Sequence, residues 1–342
     1  MNKTRIGVIG VGELGYRHAF NIAFKVPASH LAAVCSRRGD RAERVRRELE
    51  ADAAYSDYHD LLADKNVDAV VIASNSIYHP EHIRDSLAAG KHVFCEKPLA
   101  TDPAVCRELE ELVAGYPGQV FFPGFMRRYD PSYRYARELL DRGNLGKPFM
   151  ISCHSADALS SAERIASIAG TSGGLFLDIG VHDFDLACWF LGSSPKTAYA
   201  TGDTFLCEGF SKHGDIDNGV AVVNYENGAI GVFREGRTAA HGYHIETEIV
   251  CERGSVRVGV VPEKNLVTVC DSSRVGRVCQ VDFLERFTEA FILEMQAFVD
   301  CVQKDVNPEN TVRDSTNATL SACAARDSRN QGRIVSVAEY DA

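Results

Sequence analysis

The sequence lacks several features that would point to other classes of protein. Its 342 residues include 11 cysteines, an odd number, with no CxxC pair and no spacing typical of metal ligands. It contains a single tryptophan, and no apolar run approaches the length of a membrane span. We therefore expect no disulfide framework, no bound metal and no membrane-spanning segment, and the unpaired thiols indicate a reducing compartment.

An excess of positive charge is also absent. The chain carries 37 Lys and Arg against 47 Asp and Glu, a formal net charge of -10. An acidic surface repels nucleic acid and anionic membranes, so we expect neither as a partner. The first residues enter an apolar strand at once, so we expect no signal peptide and a cytoplasmic location.

The pattern of apolar residues changes near residue 123. Before it, short continuous apolar runs alternate with helical patterns, which is typical of a parallel sheet covered on both faces. After it, alternating apolar and polar residues over 197–281 indicate a mostly antiparallel sheet. The predicted strands are 5–10, 31–36, 67–73, 92–95, 119–122 and 148–154, and the predicted helices are 14–25, 40–50, 79–89, 102–115, 131–142, 176–191, 283–304 and 311–330, with a polar loop at 155–172.

A glycine motif joins the first predicted strand to the first helix. Gly10, Gly12 and Gly15 fit the pattern G-x-G-x-x-G, with Glu13 and Leu14 between the last two glycines. After a strand and before a helix, this pattern holds the pyrophosphate of a dinucleotide at the helix N-terminus. The alternative is a glycine-rich turn with a purely structural role.

The end of the second strand bears on the choice of cofactor. It reads Ser36-Arg37-Arg38, without the acid that binds the ribose 2′-hydroxyl of NAD. A hydroxyl and guanidinium groups suit a 2′-phosphate, so we predict a preference for NADP(H) over NAD. In the alternative, the two arginines are solvated or stack on adenine, and the protein uses NAD.

Two further segments carry reactive side chains. Glu96-Lys97-Pro98 closes the fourth strand, and proline biases the preceding residue toward an extended backbone, which holds Lys97 at the strand end. Asp178 and His182 are four residues apart in a predicted helix and so share one face.

These side chains suit the oxidation of an alcohol. His182 can take the hydroxyl proton near neutral pH, and a nearby carboxylate orients its ring. Lys97 can hold the oxygen or contact the nicotinamide ribose, while hydride leaves for the nicotinamide without a metal. In the alternative, Asp178 caps the helix and His182 fills a gap in the core.

The motifs together resemble the Gfo/Idh/MocA (glucose–fructose oxidoreductase/inositol dehydrogenase) superfamily over the whole chain, and most closely its inositol 2-dehydrogenase branch. The resemblance rests on segments 10–15, 96–98, 125–133, 173–192, 216–231, 241–254 and 285–302. It implies an α/β fold, with an N-terminal Rossmann domain, a doubly wound parallel sheet, over 1–123. Over 124–342 it implies an α/β domain with a large, mostly antiparallel open sheet for substrate binding and for assembly as a homodimer or homotetramer. We expect the helices within 283–330 to pack back toward the first domain.

The resemblance also implies roles for individual residues. The catalytic residues are expected to be Lys97, Asp178 and His182. The expected cofactor contacts are Gly10, Gly12, Glu13, Leu14, Gly15, Ser36, Arg37, Arg38, Asn75, His79, Glu96 and Lys97. The expected substrate contacts are Lys97, Arg127, His154, Asp157, Asp178, His182 and Tyr243. As alternatives, Arg127 or Arg128 pairs with Asp130 on the surface, Tyr243 packs in the sheet, and His154 is a satisfied core residue.

Some positions depart from the pattern of inositol dehydrogenases. Asp157 replaces a common asparagine, His244 an aspartate, and Gly236-Arg237 a serine-arginine pair, while Ser36-Arg37 replaces the acid of the NAD-using branch. These departures bear on the identity of the substrate rather than on the type of reaction.

The sequence therefore predicts an NAD(P)-dependent dehydrogenase acting on CH–OH groups of a cyclic polyol or sugar, with an inositol 2-dehydrogenase for myo- or scyllo-inositol as the first choice. A second interpretation is an NADPH-dependent reductase of sugar or deoxysugar ketones. A third is a non-catalytic Rossmann sensor, against which the presence of Lys97, Asp178 and His182 argues.

Overall fold

The chain folds into two compact units. The computed structural model describes residues 3–273 and 275–340. Unit 1 covers the described parts of Met1–Tyr129 and Glu289–Thr316, and unit 2 covers the described parts of Asp130–Thr288 and Asn317–Ala342. The sequence predicted a division at residue 123 and helices within 283–330 that pack back toward the first domain. In the structure unit 1 extends to Tyr129 and includes the later segment Glu289–Thr316.

Unit 1 is built on a six-stranded sheet in which every neighbouring pair is parallel. Its elements are β1 (Thr4–Ile9), α1 (Glu13–Phe24), β2 (Ser29–Cys35), α2 (Gly39–Leu49), β3 (Ala53–Tyr55), α3 (Tyr58–Ala63), β4 (Ala69–Ile72), α4 (His79–Ala88), β5 (His92–Glu96), α5 (Pro103–Ala114) and β6 (Phe121–Gly124). The strand order is β3-β2-β1-β4-β5-β6. Its order reverses between β1 and β4, and dinucleotides bind outside the carboxyl ends of strands at such a switch point.

The strands of unit 1 are short apolar runs because the sheet is covered on both faces. All four residues of β4 are buried, as are five of the six residues of β1. The later segment Glu289–Thr316 contributes to the same core through Met295 and Phe298, and the ring of Phe298 lies 5.7 Å from that of Phe94. Unit 1 therefore needs two distant parts of the chain for its core.

Unit 2 contains a seven-stranded mixed sheet. The elements after β6 are α6 (Pro131–Asp141), β7 (Pro148–Ala158), α7 (Ala162–Ala166), α8 (Ala169–Ser172), α9 (Leu175–Asp178), α10 (Gly180–Leu191), β8 (Pro195–Asp203), β9 (Asn218–Tyr225), β10 (Ile230–Ala239), β11 (His244–Cys251), β12 (Gly254–Val258), β13 (Glu263–Cys270), β14 (Val275–Cys279), α11 (Phe283–Arg286), α12 (Thr288–Lys304), α13 (Val312–Gln331) and β15 (Val335–Ser336). Of these, α12 after its first residue and the start of α13 belong to unit 1. The strand order is β12-β11-β7-β10-β9-β8-β15, with β7 and β10 parallel and the other neighbours antiparallel. Strands β13 and β14 form a separate hairpin.

The two faces of this sheet differ. On one face α10 covers the strands, and the rings of Phe184 and Phe233, both fully buried, lie 4.5 Å apart. On the other face the alternate residues remain open, for example Tyr199 and Val220, which are 47% and 41% exposed. The sheet thus positions α10 on its covered face and leaves some apolar side chains exposed on its open face.

The α/β class and the change from a parallel to a mostly antiparallel sheet are confirmed, but several bounds differ. The prediction missed β3 and α3, since β3 has three half-buried residues and is too short for a periodic signal. Strand β7 continues to Ala158, into the predicted polar loop, and α7 and α8 follow it. Within the described residues, no helix is both long and apolar enough to cross a membrane.

Two predicted helices are interrupted. The helix predicted at 176–191 divides at Ile179, and the helix predicted at 283–304 divides at Phe287. Phe287 has left helical geometry, with φ -111° and ψ 22°, and its fully buried ring lies edge-on to Tyr243 at 6.4 Å. Contacts from distant residues set this break, and a local sequence pattern does not report them.

Candidate active site

The predicted dinucleotide motif forms the turn between β1 and α1. Gly10 has φ +92°, a conformation that L side chains rarely adopt. A Cβ atom on Gly15 would lie 1.8 Å from the Gly10 carbonyl oxygen, so no larger residue fits there. A Cβ on Gly12 would meet no heavy atom within 4 Å. The backbone at Gly12 is therefore open to close approach by a pyrophosphate.

The start of α1 suits an anion. No side-chain cap closes the helix at Gly12, so water or a ligand can take the first N–H groups at the positive end of the helix dipole. A cavity of about 590 Å³ lies along this turn and along the ends of β2 and β4. That volume falls within the usual range for a cofactor or small-molecule site. The residues present thus fit the dinucleotide that the sequence predicted.

The end of β2 lines the cavity with a hydroxyl and cations. The Oγ of Ser36 accepts a hydrogen bond from the Arg38 N–H at 3.3 Å. The guanidinium of Arg37 lies 4.8 Å from the centroid of the Tyr78 ring and donates to the Tyr78 hydroxyl at 3.1 Å. The Arg38 side chain is 70% exposed and pairs with Asp40 at 3.3 Å. Arg37 is therefore held on an aromatic ring, while Arg38 extends into solvent.

The cofactor contacts predicted from the sequence omit several residues that line this cavity. Arg41, on the first turn of α2, and Tyr78, after β4, both line it. The sequence could have indicated Arg41, because residues three apart on a helix are neighbours and Arg41 follows Arg38 by three positions. Asp57 also lines the cavity, and its carboxylate accepts from the N–H of His59 at 2.9 Å and lies 2.8 Å from the ring nitrogen of the same histidine.

Asn75 and His79 organise the segment after β4. Asn75 lines the cavity and accepts the N–H of Ile77 at 3.3 Å. His79 is fully buried, with Nδ1 2.8 Å from the Pro98 carbonyl oxygen and Nε2 3.1 Å from that of Ser74. Burial lowers the pKa of His79. His79 therefore ties the loop after β4 to the turn that follows Lys97.

Glu96 fixes the backbone that carries Lys97. Glu96 is 4% exposed, its Oε1 lies 2.7 Å from Nε2 of the buried His18, and its Oε2 accepts the Lys97 backbone N–H at 3.2 Å. The ring of His18 lies edge-on to Phe94 at 5.2 Å. The Lys97–Pro98 peptide bond is cis. Within unit 1, Lys97 is thus the partly exposed member of an otherwise buried corner.

Asp178 and His182 lie on consecutive helices of unit 2. Asp178 ends α9 and His182 lies in the first turn of α10, and the intervening Ile179 keeps right-handed helical angles of φ -97° and ψ -44°. His182 is 6% exposed, and the Asp178 side chain is 33% exposed. The Oδ2 atom of Asp178 lies 3.2 Å from Nη2 of the fully buried Arg237 on β10.

The residue after His182 anchors α10 to the sheet. Asp183 is fully buried and accepts a hydrogen bond from the hydroxyl of Ser155 on β7. This contact fixes the first turn of α10 against the covered face. The hydrogen bond between Ser155 and Asp183 therefore helps to position the adjacent His182.

The other predicted substrate residues of unit 2 lie in different places. Asp157 is two residues after Ser155 on β7, and alternation along the strand puts both on the face covered by α10. His154 has the opposite parity and lies on the open face, with Nδ1 2.9 Å from Nε of Arg234. Burial lowers the pKa of His154. Tyr243 is buried just before β11.

Arg127 lies in unit 1, in a short 3-10 turn after β6. Arg127 and Arg128 are 1% and 3% exposed. Arg128 pairs with Asp314 at 3.3 Å, and Asp130 pairs with Arg286 at 2.7 Å in unit 2. Both arginines and Asp130 are buried, so this segment does not lie on the surface, where the alternative from the sequence placed it.

Two residues around Asp178 escaped sequence reasoning. Arg237 was noted only as a departure from a family pattern, and Asp215 was not noted at all. Alternation along β10 could have indicated Arg237, because it puts this cation on the same covered face as Phe233 and Glu235. Within residues 3–273 and 275–340, no three side chains form a group that could hold a metal ion.

Replacement of Gly12 by alanine should separate folding from cofactor binding. The new methyl group enters open space, so we expect the melting temperature of Gly12→Ala to stay within about 2 °C of wild type. We expect the dissociation constants for NADH and NADPH, measured by fluorescence titration, to rise at least about tenfold, because the methyl group occupies the approach of the pyrophosphate.

Gly118→Ala is the matched control, since a Cβ there also meets no heavy atom within 4 Å. Neither its melting temperature nor its cofactor affinity should change. Unchanged cofactor affinity in Gly12→Ala would contradict the placement of the pyrophosphate at this turn.

Comparison with known proteins identifies the two halves of the chain. Residues 4–123 match the model of an oxidoreductase family with an NAD-binding Rossmann fold, and residues 133–257 match the Gfo/Idh/MocA C-terminal domain. Among curated proteins, myo-inositol 2-dehydrogenase of Thermotoga maritima is 33% identical, over 98% of this chain and 99% of the relative. The NAD(+)-dependent scyllo-inositol 2-dehydrogenase of Bacillus subtilis is 32% identical, over 96% and 95%.

A solved structure gives the same result. Scyllo-inositol dehydrogenase from Lactobacillus casei, with bound NAD(H) and scyllo-inositol, matches with a TM-score of 0.95 and 36% identity, over 98% of this chain and all of that one (100%). The similarity spans both units and both family models. The chain therefore belongs to the Gfo/Idh/MocA family of oxidoreductases, with an NAD-binding Rossmann fold in its N-terminal part.

Proposed function

We propose that the protein is an inositol 2-dehydrogenase, which transfers hydride between the nicotinamide C4 and a secondary hydroxyl of myo- or scyllo-inositol. The observation that carries this proposal is similarity along nearly the whole chain to two relatives named for these activities, at 33% and 32% identity. The inositol bound in a structure with a TM-score of 0.95 supports the same class of substrate.

The reaction removes a proton from the hydroxyl oxygen and a hydride from its carbon, which leaves a ketone. When bound, the nicotinamide supplies the hydride acceptor. We assign the proton to His182, because imidazole exchanges protons near neutral pH. Lys97 donates a hydrogen bond to the same oxygen and stabilises the charge that develops on it. Asp178 orients the reacting groups through its carboxylate.

The remaining predicted residues have supporting roles in this proposal. Arg127, Asp157 and Tyr243 are assigned to the other hydroxyls of the polyol. Asn75, His79 and Glu96 shape the cofactor site, since their side chains hold the backbone around Lys97 and after β4. His154 stays a prediction, because its side chain lies on the open face of the sheet.

Turnover by wild type and two variants tests the reaction. Nicotinamide absorbance is followed with a panel of inositols, aldoses and ketoses. We expect oxidation of an inositol, and we expect Lys97→Ala and His182→Ala each to lower kcat by about 10²–10⁴, the usual scale for proton-transfer residues. The matched controls are His30→Ala and Lys304→Ala, whose surface side chains pair with Asp52 and Asp300.

A near-normal kcat in His182→Ala would remove the assignment of His182 as base. If wild type binds cofactor tightly and turns over no compound of the panel, the non-catalytic sensor is the better description.

For the cofactor we propose a preference for NADP(H). What supports it is the cavity wall: Ser36, Arg37 and Arg41 line it at the end of β2, where an NAD-specific site carries an acid. Asp57 lines the same cavity, and its carboxylate is engaged by His59. The same wall favours a second candidate function, the reduction of a sugar ketone by NADPH.

Comparison of kcat/KM for NADP+ and NAD+ tests this preference. We expect NADP+ to be the better substrate, and we expect Arg37→Ala to lower kcat/KM for NADP+ about tenfold more than that for NAD+, since one bidentate phosphate contact is lost. Arg44→Ala is the control, because Arg44 on α2 pairs with Glu48 on the surface. A tenfold preference of wild type for NAD+ would refute the proposal.

We also propose that the chain assembles as a homodimer or homotetramer through the open face of the seven-stranded sheet. Tyr199, Val220 and Ile230 are 47%, 41% and 39% exposed on that face, and clustered exposed apolar residues mark interfaces. Light scattering after size exclusion should give a dimer or tetramer for wild type and monomer for Tyr199→Glu/Val220→Glu. The control Phe24→Glu, at a side chain 51% exposed in unit 1, should leave the mass unchanged. A monomeric wild type would contradict this proposal.

A cytoplasmic location is part of the same proposal. None of the eleven cysteines, all among the described residues, forms a disulfide bond, and eight of them are buried. Buried thiols persist where the surroundings keep them reduced.

A further inference from the structure

We infer that Arg237 is a positioning residue for the reaction: its buried guanidinium, held between Asp178 and Asp215, sets the orientation of the Asp178 carboxylate. The inference rests on the proposed function, since Arg237 acts on the reaction only through Asp178. It concerns contacts within unit 2 alone.

The surroundings of Arg237 are unusual for an arginine. Its side chain is fully buried, and the guanidinium lies 4.7 Å from the centroid of the Phe210 ring. Its Nη2 atom lies 3.2 Å from Oδ2 of Asp178 and 3.6 Å from Oδ2 of Asp215. A buried cation is tolerated only where anions compensate it, so the two carboxylates and the guanidinium form one charged group.

This group holds both ends of α9. Asp215 accepts the backbone N–H of Leu175, the first residue of α9, at 2.8 Å through Oδ1. Arg237 contacts Asp178, the last residue of the same helix. A helix of four residues has no stability of its own, so its geometry depends on such outside contacts. Asp215 and Arg237 therefore determine where Asp178 points.

The support for Arg237 is itself rigid. Its backbone N–H donates to the Asp217 carbonyl oxygen at 2.8 Å. The buried carboxylate of Asp217 accepts three backbone N–H groups, from Phe205, Leu206 and Cys207, at 2.8 to 2.9 Å. The loop behind Arg237 is thus fixed, and movement of the guanidinium is restricted.

The geometry does not resemble a pair optimised for stability. No nitrogen of the Arg237 guanidinium makes a well-aligned hydrogen bond, whereas Arg286 contacts both oxygens of Asp130, at 2.7 and 3.4 Å. Arg237 lies near two carboxylates, and one of them, Asp178, has a side chain that is 33% exposed. A functional role is one reason for a protein to keep a buried polar group without well-aligned hydrogen bonds.

The test compares two buried pairs. The double variant Arg237→Met/Asp215→Asn removes the buried cation and one acid while keeping similar side-chain volumes, and Arg237→Lys keeps the charge without the planar fork. The control is Arg286→Met/Asp130→Asn, which removes the other buried pair and retains a residue able to cap α6. For each protein we measure kcat with inositol, the dissociation constant of the cofactor, and the deuterium isotope effect on kcat with inositol labelled at the reacting carbon.

We expect kcat of the double variant to fall about 10- to 100-fold, because a misplaced reacting group slows the chemical step on this scale. The cofactor dissociation constant should stay within about twofold, since that site belongs to unit 1, and the isotope effect should rise as hydride transfer becomes limiting. Arg237→Lys should recover about threefold of the lost kcat, so that its kcat stays below that of wild type and its isotope effect stays above that of wild type. The control pair should keep both kcat and the isotope effect, even where its melting temperature falls.

The inference is overturned if kcat falls only in proportion to the fraction of protein that still binds cofactor, with an unchanged isotope effect. That result would show that Arg237 has a structural role. If the double variant does not fold, Arg237→Lys decides: normal kcat and isotope effect overturn the inference, and a lowered kcat with a raised isotope effect supports it. If the wild-type protein oxidises no inositol, both the proposed function and this inference are wrong. Failure of the proposed function is therefore seen in wild type, and failure of the inference in the variants.

Discussion

The close approach of Gly15 to the carbonyl oxygen of Gly10 is the constraint on which the first unit depends. A Cβ at Gly15 would come within 1.8 Å of that oxygen, so α1 can leave β1 at this angle only with glycine there. The angle directs the helix start along the end of the sheet, at the point where the strand order reverses. The cavity, the cations after β2 and the loop after β4 all surround that point.

A second principle recurs at the reactive residues. Lys97 and His182 each lie next to a buried polar residue that bonds to the surrounding structure. Glu96 engages His18 and the backbone before Lys97, and Asp183 binds Ser155 beside His182. These neighbouring polar residues therefore help to position the reactive side chains.

Much of the fold followed from the sequence because its signals are local. Continuous apolar runs predicted the parallel strands, and glycine spacing predicted the first turn. The three-residue strand β3 was missed because it is too short for a period to develop. The break at Phe287 was missed because the ring packs against the distant Tyr243, a contact that a local pattern does not report.

The site divides in the same way. Lys97, Asp178 and His182 could be named because each lies in a short motif with a chemical meaning. Arg237 and Asp215 could not, since their relation to Asp178 spans 59 and 37 positions of sequence (237 − 178 and 215 − 178) and appears only when β10 and the loop before β9 meet α9. His154 shows the converse: the family resemblance implied a substrate contact, and the pleat of β7 places its side chain on the open face of the sheet.

The division of unit 1 into two chain segments has a consequence for synthesis. Met295 and Phe298 complete its core, and they leave the ribosome only after all of 130–288 has been made. Domains tend to fold in the order in which they emerge. Here the first sheet to be translated must wait, with its Phe94 side uncovered, until residues 130–288 of the second unit have been produced. The earliest part of the chain is thus among the last to be finished.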